Sequence, residues 1–297
     1  MGHVLAAGVS GFLGTPLVAA LREAGHDVTR LVRHPATTAD ELTWDPAAGH
    51  LPEDALEGIT AVVNLAGAGV GDKRWTPQRR QVLVTSRITA TTLLARALTA
   101  SGRPEVPLIN ASAVGYYGDR GEEQISTADP AGESFLAGLC VAWEAATASA
   151  KEAGHRVVQL RTGIVLDPDG GALKQMLLPL SLGIAGPIAG GTQWWSWITR
   201  EDWVRAVVHL VTSEVSGPVH LSAPNPRRNA SAMKALAQAK NRPAFMPIPL
   251  FAMKIVAGQF AEELAISQQI TPDDLLADGF AFRWPELEPA AEHFFAR

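Results

Sequence analysis

Three glycines spaced three apart, in Gly8-Val9-Ser10-Gly11-Phe12-Leu13-Gly14, give the chain its most specific chemical signal. A turn this tight needs positive φ, which glycine supplies cheaply. A backbone without Cβ lets a pyrophosphate approach, and a helix starting at the turn would point its positive end at that charge. Arg33 stands 19 residues beyond Gly14, with Arg30 and His34 nearby. An acidic residue there would bind a ribose 2′-hydroxyl, whereas a guanidinium suits a 2′-phosphate as a bidentate donor. The pattern points to NADP(H) ahead of NAD(H). The plain alternative is a solvated arginine at a strand end.

Other residues could bind or react. Trp194, Trp195 and Trp197 follow a glycine-rich loop beside Gln193. They would either grip a ring or base of a small-molecule substrate or plug the seam between two domains. The only tyrosines are Tyr116 and Tyr117. Tyr116 either donates a proton from its loop, as a phenol can in a dry site, or packs with its hydroxyl at solvent. Cys140, the single cysteine, cannot form an internal disulfide and suits packing better than nucleophilic attack. It fits a reducing, cytoplasmic setting. No Cys/His metal-ligand spacing occurs, so no metal is expected.

The elements that must position these residues can be read from periodicity. His3–Ala7 is a short buried strand. Leu13, Leu17, Ala20 and Leu21 recur at helical spacing until Gly25, with Pro16 tolerated in the first turn, and His26–Arg33 alternates as a second strand. This strand, glycine turn, helix and strand open a dinucleotide-binding fold. Thr60–Leu65 is a further strand ending in Asn64-Leu65-Ala66-Gly67, where small residues leave room for a cofactor. Thr76-Pro77 caps a long helix. Its basic residues form a solvated face, or one of them, Arg87, reaches back toward the cofactor. Phe135–Ala150 is read as one helix, and Asp202 as the cap of a helix over Trp203–Val211.

The 297 residues suggest two domains, and a net charge of -5 argues against a nucleic-acid partner. The opening MGHVLAAGVSGFLG has no basic n-region, so no secretory signal is expected. Gln175–Thr199 lacks charged residues but is broken by glycines and prolines. It reads as a short helix and a buried loop, not a membrane span.

GVSGFLG, NLAG, GDKRWT, SRI, SAVGYYGD, FLAGLCVAWE, RTGIVL and SWITREDW follow one another in an order that resembles the short-chain dehydrogenase/reductase superfamily. The likeness is to its atypical extended, NAD-dependent or sugar-nucleotide epimerase-like branch, sometimes described as cell-division inhibitors. It implies an α/β fold, a Rossmann-like doubly wound parallel sheet over 1–222 with 168–200 contributing to the substrate cleft, and a smaller C-terminal substrate domain over 223–297. It implies NADP(H) held by Gly8, Ser10, Gly11, Phe12, Leu13, Gly14, Val32, Arg33, Leu65, Ala66, Arg87 and the segment near Val165. A monomer or homodimer is expected.

The chain departs from the superfamily where catalysis should sit. Its Tyr-x-x-x-Lys pair is absent: Leu136 and Cys140 stand in those places when Glu144 is aligned with the acid that often follows. Ser112 falls where the superfamily puts a substrate-polarising hydroxyl, with Ala113 the alternative one position on and a simple turn hydroxyl the plain reading. Thr199 replaces the usual His of the Trp-Ile-His-x-x-Asp segment. Two functions remain open. One is an epimerase-like oxidoreductase transferring hydride to or from a small polar substrate, a sugar nucleotide among the options. The other is a non-catalytic NADP(H)-binding regulator or sensor.

Overall fold

The computed structural model describes residues 2–244 and 246–296. Five parallel strands open the main sheet: β1 (His3–Ala7), β2 (Asp27–Val32), β3 (Glu41–Thr43), β4 (Ala61–Asn64) and β5 (Leu108–Ala113). Val157–Thr162 and Gly217–Leu221 complete seven, in the spatial order Gly217–Leu221, Val157–Thr162, β5, β4, β1, β2, β3. Every pairing is parallel. Strands covered on both faces are largely apolar: Val4 to Ala7 and Ala61 to Val63 are all buried, and Asn64 follows them as a buried polar residue. The order reverses between β1 and β4, and the crevice at the carboxyl ends of those two strands is where such sheets bind ligands.

Helix α1 (Gly14–Glu23) follows the glycine turn and α2 (Pro77–Ser101) follows Thr76, whose hydroxyl accepts the amide of Arg79. Gly102, at φ 61°, ends α2 in the left-handed conformation. The expected Phe135–Ala150 helix is two pieces, α3 (Phe135–Ala145) and α4 (Ala148–Glu152). Buried Thr147 accounts for the break: its hydroxyl donates to the Glu144 carbonyl at 2.7 Å and accepts from Gln159 Nε2 at 2.8 Å.

The chargeless stretch forms the end of α5 (Gly171–Leu182), with Pro179 inside, then a loop, and ends not in that loop but in two short strands, Trp194–Trp195 and Trp197–Thr199. Among the described residues no helix is long and apolar enough to cross a membrane. Asp202 does not cap the following helix. Helix α6 (Arg200–Thr212) starts earlier, and Thr199 is its cap, accepting the amide of Asp202 at 3.0 Å. The fully buried Asp202 carboxylate instead accepts the amides of Arg283 and Trp284, both at 2.8 Å. It therefore anchors the C-terminal segment to α6. Beyond Leu221, α7 (Asn229–Ala239) and the helix Leu287–Phe295 bury Met233, Leu236 and Phe294 against Leu173, Leu180, Trp195 and Trp197.

Candidate active site

The three glycines of the first turn do different work. Gly8 has φ 72°, and a Cβ there would lie 2.5 Å from the Ala66 amide nitrogen. A Cβ on Gly14 would lie 2.2 Å from Val9 Cα. Both glycines are required by the chain's own packing. Gly11 is not: its φ is not positive, and nothing lies within 4 Å of its missing Cβ. Leu13 at the head of α1 offers no side-chain cap, and Ser10 and Gly11 are exposed. The turn thus presents an open, uncapped helix N-terminus beside the β1–β4 crevice. Phe12 turns the other way and packs on Gly170, where a Cβ would come within 2.2 Å of its ring. Half-buried Val165 lies in the neighbouring strand Ile164–Asp167.

At the end of β2, half-buried Val32 leads to exposed Arg33, which makes no hydrogen bond or ion pair among the described residues. Arg30 is committed to Asp40 at 2.8 Å and Glu41 at 3.2 Å. Arg33 is therefore the guanidinium left for a ligand.

The segment after β4 is shaped from inside. Buried Asn64 donates to Thr91 and Asn110 and accepts the Ala66 amide at 3.1 Å. This holds Leu65 and Ala66 against Gly8. Gly67 is exposed and admits Arg87, whose Cζ would lie 3.1 Å from a Cβ there. Arg87 donates Nη1 to Ala68 and Leu83 carbonyls and stacks on Trp143 at 4.8 Å. Its Nε is buried without a partner, and no carboxylate pairs with it among the described residues. Burial pulls its pKa down to about 10. A buried guanidinium without a counter-ion is costly, and an anionic or hydroxyl-bearing ligand at Gly67 would relieve that cost.

The residues proposed for proton chemistry are placed less simply. Ser112 is buried, and its hydroxyl donates to Glu144 Oε1 at 2.6 Å. A serine has one proton, so this one is not free to polarise a carbonyl. Ala113 is half-exposed and holds the open position at the strand end. Tyr116 is half-buried, with the Arg161 guanidinium 3.6 Å from its ring centroid. Leu136 packs against Gly115. Burial pushes the Cys140 thiol up to about 12, which leaves almost no thiolate for nucleophilic attack.

Behind Ser112 runs a buried polar chain that sequence reading did not single out. Arg161 grips Glu144 through Nε and Nη2, both at 2.9 Å, and donates Nη1 to the Tyr117 oxygen at 2.7 Å. Tyr117 donates to His220 Nε2 at 2.6 Å, and His220 Nδ1 donates to the Thr271 carbonyl at 3.0 Å. This assignment keeps His220 neutral. Burial holds its pKa below the ordinary 6.5. Unfolding lets His220 take a proton that the folded state refuses, so its contribution is full above pH 6.5 and is lost as the pH falls below it. Urea unfolding should therefore show stability falling by up to about 1.4 kcal/mol per pH unit between pH 6.5 and 5.5. His220→Gln should flatten that slope, and an unchanged slope would refute the assignment.

Of the three indoles, Trp195 and Trp197 are buried in the core, and Trp197 Nε1 donates to the Asn225 carbonyl at 2.9 Å. They pack rather than present faces. Half-buried Trp194 donates to Glu122 at 3.3 Å and lies 4.2 Å below Arg228. The structure thus gathers the glycine turn, Leu65–Gly67 and Arg87 at one edge, and leaves Trp195 and Trp197 outside it.

Comparison with known proteins identifies the family. The model of the NAD dependent epimerase/dehydratase family matches residues 4–221, and that of a domain of unknown function matches 248–294. Epimerase family protein Mb2239 of Mycobacterium bovis is 43% identical over 94% of this chain and 93% of its own length. The crystal structure of human epimerase family protein SDR39U1 with NADPH is 33% identical, covers 99% of each chain and superposes with a TM-score of 0.89. A nucleoside-diphosphate sugar epimerase from Corynebacterium glutamicum is 31% identical over 99% of this chain and 58% of that longer one, with a TM-score of 0.80.

Proposed function

The chain belongs to the NAD-dependent epimerase/dehydratase family and has its nicotinamide-dinucleotide-binding fold, and from that premise we propose that it is an NADP(H)-dependent oxidoreductase. The observation that carries the reading is the open face of Gly11 at an uncapped helix N-terminus, a glycine that nothing in the chain itself demands. Ser10 to Gly14 would hold the pyrophosphate through their amides, and unpaired Arg33 the 2′-phosphate. Leu65, Ala66 and Gly67 would flank the ribose, with Arg87 supplying the orphaned donor and Val165 an apolar wall. These residues fit a phosphorylated dinucleotide, and the similar human protein was crystallised with NADPH. When bound, the cofactor supplies or accepts hydride. Tyr116 is the protic side chain left half-exposed near Ala113 and is assigned the proton, while Ser112, tied to Glu144, fixes the end of β5.

A second reading is favoured by one observation: Leu136 and Cys140, both apolar in this setting, fill the positions of the usual Tyr and Lys. It makes the protein an NADP(H) sensor without turnover. Slow NADPH oxidation over a carbonyl panel, lost in Tyr116→Phe, supports the enzyme, and no turnover with any carbonyl supports the sensor.

Cofactor choice is tested by thermal shift. A ligand at 100 times its Kd stabilises by about 2.7 kcal/mol. NADPH should raise Tm by several degrees and NADH by less, with Arg33→Ala narrowing the gap. Equal shifts in the wild-type protein would refute the role of Arg33.

A further inference from the structure

The surface beside the proposed cofactor edge has an unusual composition for a sugar site. Trp75, Leu83, Leu139, Cys140 and Trp143 form a buried cluster between α2 and α3. Ala68, Val70, Ala113, Phe135, Leu136 and Phe260 pack on it but stay partly exposed. They come from the ends of β4 and β5, the first turn of α3 and the helix Phe260–Glu263, so an apolar face meets the carboxyl edge of the sheet. Trp75 lies 5.1 Å from Phe135 and 5.2 Å from Phe260, ring to ring. A sugar carries a hydroxyl on nearly every carbon, and each would lose its water against this face without a partner.

The rim has the opposite character. Lys73 and Arg74 are exposed and have no ion pair among the described residues. Arg79 and Arg80 each bury an Nε without a partner, and the one acid near Arg79 is exposed Asp72 at 3.8 Å. Arg80 lies over the Phe135 ring at 4.6 Å, so the charge and the aromatic face are contiguous. The two acids that feel Arg80, Glu262 and Glu263, have other partners. Glu262 is engaged by Lys254 at 2.7 Å, and Glu263 accepts from Ser134 at 3.2 Å, its carboxyl pushed up by burial.

From this juxtaposition we propose that the substrate is an amphiphilic carbonyl compound: an aryl or alkyl aldehyde or ketone carrying a carboxylate or phosphate, and not a sugar. The proposal rests on the oxidoreductase reading above and names the substrate class of that site. The apolar part lies on the Phe135–Leu136 face and the anion meets Arg80 and its neighbours. Hydride leaves NADPH for the carbonyl carbon as the C=O π bond breaks, and the oxygen takes a proton from Tyr116. The products are an alcohol and NADP+, and solvent returns the proton to the phenolate.

The test is calorimetric titration of the full chain, first with NADPH and then, saturated with NADPH, with 4-carboxybenzaldehyde, 4-formylphenyl phosphate, benzaldehyde, UDP and UDP-glucose. The expected result is that one or both anionic aldehydes bind at least tenfold tighter than benzaldehyde, and that UDP-glucose binds no better than UDP. The two anionic probes distinguish a carboxylate from a phosphate preference. Arg80→Ala, with Arg74→Ala as a second variant, should reduce the anion preference while leaving NADPH binding intact. Tighter binding of UDP-glucose than of UDP would overturn the proposal. So would an anion preference that survives both variants, or the failure of every aldehyde to bind while NADPH binds normally. Failure of NADPH itself to bind would instead remove the oxidoreductase reading, and the proposal with it.

Discussion

Glu144→Ala should lower the free energy of unfolding by about 3–5 kcal/mol, the range for breaking a buried ion pair from one side. The side chains of Arg161 and Glu144 are 4% and 14% exposed. Removing the carboxylate leaves the guanidinium charge buried and takes away the acceptor of the Ser112 proton. The pair itself need not be worth this much, because the desolvation of two charges offsets most of their attraction. The double variant Arg161→Met with Glu144→Leu separates the two quantities. It should recover part of the loss, although Tyr117 and the Thr127 carbonyl lose the donor Nη1 supplied. Chemical unfolding of the three proteins reads both numbers. A Glu144→Ala loss under about 1 kcal/mol would show that the pair is hydrated.

What such a pair contributes is placement. Arg161 fixes Glu144 and through it Ser112, stacks on Tyr116, and holds Tyr117 in line with His220. The half-exposed phenol is thus held by a cation whose own position is over-determined. Hydroxyls in an apolar cleft must be held this way to act at a defined point.

The uneven legibility of the sequence has the same origin. The glycine turn, the Thr76 cap and the apolar β1 and β4 were readable because their causes lie within a few residues of one another. Ser112 and Glu144 are 32 residues apart, Arg161 and Tyr117 are 44 apart, and Tyr117 and His220 are 103 apart. Nothing local says that these groups meet. The one available signal was Arg161 itself, a charge inside the buried run Val157–Thr162, which demanded a buried partner. Asp202 misled for a related reason. Its type and position suit a cap, but Thr199 took that role, and two amides from residues 283 and 284, more than 80 positions away, took the carboxylate. The family resemblance supplied the doubly wound parallel sheet and the residues expected around the cofactor, but not the order of the strands. It could not say whether Trp195 and Trp197 face a ligand or the core, because core and cleft draw on the same side chains.

The largest effect on ligand binding is expected from a substitution the apo fold should not notice. Gly14→Ala puts a methyl 2.2 Å from Val9 Cα, inside any allowed contact, so the turn must shift, at a cost of about 1–3 kcal/mol or more. Gly11→Ala meets nothing, and its backbone is not in the left-handed region. It should leave the apo protein as stable as before, or raise stability by about 0.4–1 kcal/mol by restricting the unfolded chain. The same methyl stands where the pyrophosphate would approach, so NADPH affinity should fall at least tenfold, about 1.4 kcal/mol or more. Apo Tm and the NADPH-induced shift, measured for both variants, separate the two effects. Gly14→Ala should lose the first, and with it part of the second. Gly11→Ala should lose the second alone. A full NADPH shift in Gly11→Ala would mean that the open face of the turn is not where the phosphates lie, and the oxidoreductase reading would lose the observation that carries it.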